Sequence, residues 1–266
     1  MKTFDDKKYE LFPKREGDDR SNHGNRQLIG SIGLVMPLLL WLFAGWRPTV
    51  AQPWHVLSSI SAYYYSGAVS AFAGMLVALA LFLLSYKGYE NKYYRRDRVA
   101  AIVAGCAALL VALFPTEAPD PSLVLPWWTP PMGFIHFASA AVLFGSFIFF
   151  ALFQFPKFSG KKTKSLKWDK KVRNVIYRSC GVAMLICILW IIYALNTGAP
   201  IFLPEALALE FFAISWLVKG RVQVTAAAVG RRSLYYATHP RQFVSDAGHA
   251  VRPQQVVQPK APRKRA

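Results

Sequence analysis

The sequence predicts an all-α membrane protein: a bundle of six transmembrane helices with the N and C termini cytoplasmic. Two observations carry that expectation. Hydrophobic residues make up 54% of the 266-residue chain and gather into six apolar runs. Of the 32 Lys and Arg, set against 14 Asp and Glu, all but Arg178 at the edge of the fifth run stay out of those runs. A soluble nucleic-acid binder distributes basic residues over a folded module, whereas a membrane protein confines them to loops. The net charge of +18 therefore calls for no nucleic acid partner. Basic segments beside the helices suit the anionic cytoplasmic leaflet instead.

The runs cover 27–44, 68–86, 99–114, 133–155, 175–195 and 200–218. A helix rising about 1.5 Å per residue needs about 20 residues to cross about 30 Å of hydrocarbon. The first run follows a charged arm and contains Pro37, so it reads as a retained span rather than a cleaved signal. The third is short and rich in small residues (Ala100, Ala101, Ala104, Gly105, Ala107, Ala108), which places it inside the bundle, where such residues let helices approach. The fifth follows KKTKSLKWDKKVRNVIYR at 161–178, in which Leu166, Trp168, Val172, Val175 and Ile176 stand among the cations. That stretch is either an interfacial amphipathic helix leading into the span or a solvated basic loop. Cys106, Cys180 and Cys187 fall within the runs, odd in number and without metal spacing. They read as buried apolar thiols, and no disulfide, metal or other cofactor is expected.

Orientation follows from the connections. The segment 1–26 carries 7 Lys and Arg, 87–98 carries 5, 156–178 carries 9 and 219–266 carries 10, while the other connections share only Arg47. The positive-inside rule then sets a cytoplasmic arm (1–26), a membrane domain (27–218) and a basic cytoplasmic tail (219–266). The tail ends in a Pro-bearing, charged stretch that reads as disordered. The connections at about 45–67 and 115–132 face outward. They hold Trp46, Trp54, Trp127, Trp128 and the tyrosines of SSISAYYYSGA at 58–68. Trp and Tyr favour the headgroup layer, so Tyr63 to Tyr65 are expected in an aromatic belt.

The outer half also holds the residues able to carry chemistry. A carboxylate at Glu210, near the middle of the last run, is costly unless paired or neutral and should face the bundle interior. His136 is the only histidine within a run. Ser58 and Ser61, three apart, share a face if the stretch is helical. Three readings stay open. Ser58 or Ser61, His136 and Glu210 form a nucleophilic set; Glu210 and His136 satisfy each other structurally; or Arg47, Ser61, Tyr64, His136 and Glu210 line a pocket for a lipid or lipid-like molecule. No G-x-S-x-G elbow is present. A proton-coupled transporter using Glu210 has no inner-half relay to serve it.

Three motifs carry a resemblance. The first outer loop ends in Ile60-Ser61 just before the second run, the fourth run opens HFASAAVLF (136–144), and the sixth carries LEFFAISW (209–216). Over about 27–220 the chain resembles the six-span group of DRAM autophagy modulators, Sfk proteins and Frag-type GPI-lipid remodelling proteins. Its uncharacterised bacterial members are the most similar, through SISAYYYSG (59–67) and FLLSYKGY (82–89). The resemblance implies a six-helix bundle with both termini inside, a bacterial-type inner membrane, membrane lipids as partners and a role in membrane homeostasis. It points to Ser61, His136 and Glu210 and carries no enzymatic role with it. Where an aspartate often follows the Ile-Ser element of the group, this chain has Ala62-Tyr63.

Overall fold

A computed structural model describes residues 20–46, 54–88, 94–157 and 164–221. Arg47, most of the N-terminal arm and nearly all of the basic tail lie outside them. The protein is all-helical over the described residues, with no strand among them. Its long helices are α1 (Arg20–Trp46), α2 (Val69–Ser85), α3 (Tyr94–Leu113), α4 (Pro130–Phe149), α5 (Lys164–Thr197) and α6 (Phe202–Lys219). Each apolar run has become one helix, as expected of chain that must satisfy its backbone groups without water. The described part of 161–178 is helical and continuous with α5.

Three helical segments are long and apolar enough to cross a membrane: His23–Trp46, Pro130–Gln154 and Lys170–Thr197. Val69–Ser85 is a shorter apolar helix. Charge keeps the other two out of that set. α3 begins YRRDR, and α6 carries Glu205, Glu210 and Lys219. Large apolar side chains also turn outward, among them Leu38, Leu81, Phe134, Ile186 and Leu189, each more than half exposed. An apolar exterior of this extent suits hydrocarbon rather than water.

Small residues set the helix spacing. Ala101, Ala104, Ala107 and Ala108 of α3 are buried, in keeping with the expected interior position. A Cβ on Gly105 would stand 2.7 Å from Leu84 Cγ of α2. On α1, a Cβ on Gly30 would meet Leu217 Cγ at 2.8 Å and the Ala213 carbonyl of α6 at 3.0 Å. The core between these seams is aromatic, with Phe147 stacked on Phe212 at 3.7 Å and Trp216 packed edge-on to Tyr86, Phe150 and Phe155. Cys180 and Cys187 are buried as expected, but Cys106 lies on the exposed face of α3.

Hydrogen bonds sort the connections into two ends. At one end Ser58 meets Ile201 and Phe202, and Tyr65 meets Thr116. At the other, the amide of Asn25 reaches the Phe82 carbonyl, that of Gln27 reaches Gly220, and Lys219 reaches Phe155. The start of α1 and the end of α6 thus share one end, opposite the 58–66 segment.

The tyrosines depart from the expected belt. Ser61–Tyr65 is a 3-10 turn that carries Tyr63 and Tyr65 into the interior, at 0% and 8% exposed, and leaves Tyr64 partly covered. The polar tips are satisfied there: the Leu57 N–H donates to Tyr63 Oη, and Tyr65 Oη donates to the Thr116 carbonyl. A buried tyrosine normally finds such a partner. Burial pushes both phenols above their ordinary pKa, with Tyr64 and Glu117 adding to the effect at Tyr65.

Candidate functional site around Ser61 and His136

The serines of the 58–66 segment take separate jobs. Ser59 Oγ accepts from the Ala62 N–H at 2.9 Å and opens the 3-10 turn, as a capping hydroxyl does. Ser66 closes it, donating to the Tyr63 carbonyl at 2.8 Å and accepting from the Ala68 N–H at 3.1 Å at the start of α2. Ser58 is exposed and contributes its carbonyl, which accepts from the Ile201 N–H at 2.7 Å and the Phe202 N–H at 2.9 Å. With its neighbours employed in shaping the turn, Ser61 has its hydroxyl 2.8 Å from Nε2 of His136.

His136 stands in the second turn of α4, whose start is fixed by Pro130 and Pro131 in the first helical positions. It is 2% exposed. Its Nδ1 lies 2.6 Å from the Phe114 carbonyl, one of the end-of-helix acceptors that α3 leaves without an intrahelical donor. A carbonyl only accepts, so Nδ1 carries the proton and, in the neutral ring, Nε2 offers a lone pair. Ser61 then donates to Nε2. That is the arrangement in which an imidazole can take a proton from a hydroxyl.

One more bond fixes the segment. The Ile60 N–H, beside Ser61, donates to Glu205 Oε2 at 2.6 Å. Together with the two bonds to Ser58, this clamps residues 58–60 onto the first turn of α6. Glu210, the acid favoured by burial cost, is partly buried and does not bond to His136, whose two ring nitrogens are engaged by Ser61 and Phe114. The expected Glu210–His136 pair is thus replaced by a serine–histidine–carbonyl chain, because α6 packs chiefly on α1 and α5 while α4 lies beside α3. A backbone carbonyl leaves no mark in a sequence, and neither does a carboxylate chosen to hold one amide.

Of the other residues expected at the site, Tyr64 packs edge-on against Tyr65 and Phe72 at 5.4 and 6.1 Å. Arg47 lies outside the described residues. Among the described residues no group of three His, Cys, Asp or Glu could hold a metal ion. Compared with known proteins, the chain matches no family model, no curated protein and no solved structure.

Proposed function

We propose that the chain is a six-span protein of a bacterial-type inner membrane, related to the DRAM, Sfk and Frag group, whose outward end receives a lipid or lipid-like molecule at Ser61 and His136. Support for the six spans comes from the apolar exterior and from the Lys and Arg, of which 31 of 32 lie in segments assigned to one side. The single observation that carries the site is the 2.8 Å bond from Ser61 to a His136 ring whose other nitrogen is held by Phe114. Its chemistry is acyl transfer. Ser61 Oγ attacks the carbonyl carbon of an ester while its proton passes to Nε2. The intermediate expels the alcohol, which takes that proton back, and water or a second alcohol then releases the acyl group by the same steps in reverse. The Phe114 carbonyl orients the ring, as a carboxylate does in a triad.

A second reading, binding without chemistry, is favoured by the backbone. Ser61 opens a 3-10 turn and is not among the described non-glycine residues of positive φ, which are Trp54 and Arg221, so it lacks the strain of a nucleophile elbow. A fluorophosphonate probe on the purified protein decides between the two. Labelling at Ser61, lost in His136→Ala and in Ser61→Ala, is expected. No labelling of a folded wild-type protein would leave the site as a lipid contact alone.

A further inference from the structure

At the end of the bundle opposite Ser61, buried and half-buried cations gather around one buried carboxylate, Asp97. Arg26 of α1 is fully buried, with its guanidinium carbon 5.5 Å from the centre of the Tyr86 ring. Lys219 closes α6 and donates to the Phe155 carbonyl at 3.2 Å, its ammonium 5.2 Å from the Phe155 ring and 5.8 Å from that of Tyr177. Lys170 donates to the Lys157 carbonyl at 2.9 Å, and the Lys157 ammonium donates to Gln154 Oε1. Arg26, Lys170 and Arg173 all lie close enough to act electrostatically on Lys219, and Asp97 is the opposing charge among the described residues.

Two further donors sit among these groups without an acceptor, Gln154 Nε2 and Trp216 Nε1. Gln154 is 5% exposed and Trp216 fully buried. With its oxygen taken by Lys157, Gln154 has only its donor end to offer. Trp216 lies between the aromatic partners of the two cations, its ring 5.2 Å from that of Tyr86 and 5.1 Å from that of Phe155. Gln154 ends a π-helical turn, Phe150–Gln154, that follows α4. Such turns recur at functional sites. Buried donors are costly without acceptors, and basic pockets between membrane helices take anionic headgroups.

We propose that this cluster binds a phosphate-type anion, with Gln154 and Trp216 donating to its oxygens and Arg26 and Lys219 supplying the positive field. The headgroup of an anionic phospholipid and free phosphate offer the same chemistry. The inference is independent of the Ser61–His136 chemistry.

The test compares thermal stability of the full chain in nanodiscs of phosphatidylcholine, of phosphatidylcholine with graded phosphatidylglycerol, and of phosphatidylcholine with graded inorganic phosphate. Stabilisation by phosphatidylglycerol but not by phosphate identifies a lipid headgroup. An equal response to phosphate identifies a soluble anion. Trp216→Phe keeps the ring and removes the donor, and should raise the half-saturating anion level about tenfold. Gln154→Glu keeps the shape and faces Lys157 with a carboxylate, so the variant should stay folded yet lose the response. Equal stability in all three media, or wild-type responses from both variants, would overturn the proposal.

Discussion

Glu205 holds the Ile60 amide at 2.6 Å, and that bond governs where the neighbouring Ser61 can stand. Glu205→Ala leaves a part-buried amide without its acceptor, a loss of about 1–3 kcal/mol. Glu205→Gln retains a carbonyl oxygen for the amide and should keep most of the stability. Thermal denaturation in detergent, read beside probe labelling of Ser61, checks both expectations. A second measurement concerns coupling. Ser61 and His136 share a bond, so Ser61→Ala and His136→Ala should fall short of additivity by about 0.5 kcal/mol or more, while Glu210→Ala and His136→Ala should add. The sequence singled out His136 because the outer half holds few polar groups, but it left open whether Ser58, Ser61 or Glu210 is its partner. Glu205 was not legible, since burial cost singles out the mid-helix acid Glu210 and says nothing about which backbone amide needs an acceptor.

The helices themselves were written plainly, because a long apolar run in hydrocarbon has no alternative to satisfying its own backbone. The interior place of α3 was also visible, in its alanines and Gly105, though not that α2 is the neighbour they admit. The seam between α1 and α6 was not singled out, although Gly30 and Gly33 make it, because two glycines in a long apolar run do not disclose which neighbour they admit. Nor did the tyrosine triplet reveal its direction. A 3-10 turn rotates successive side chains by about a third of a circle, so which tyrosines face inward depends on where the turn begins. Gly30→Ala and Gly74→Ala separate packing from helix propensity. Both changes gain up to about 1 kcal/mol of propensity. At Gly30 the new methyl meets Leu217 Cγ at 2.8 Å and backbone atoms of α6 at 3.0 Å, whereas at Gly74 it meets nothing within 4 Å. Gly30→Ala should therefore lower the Tm and Gly74→Ala should hold or raise it, as measured by detergent melting curves.

Among the described residues, one end of the bundle gathers cations, and residues 54–66, 114–129 and 197–202 at the other carry no Lys or Arg. The proposed orientation is tested in a background without the three native cysteines. Ser122→Cys should react with an impermeant thiol reagent added to intact cells, and Lys87→Cys only after permeabilisation. The opposite pattern would invert the bundle. The clamp on residues 58–60 has a further consequence for the order in which the protein is made. The acceptor for Ile60 stands 145 residues further along the chain. Translation at about 5–20 residues per second puts roughly 7–30 s between the two. Ser61 and His136 are thus both synthesised well before the helix that fixes the serine's segment. A chain terminated after residue 198 should insert its earlier helices and yet leave Ser61 inert to the probe, so that any reactivity of the pair switches on with the arrival of the last helix.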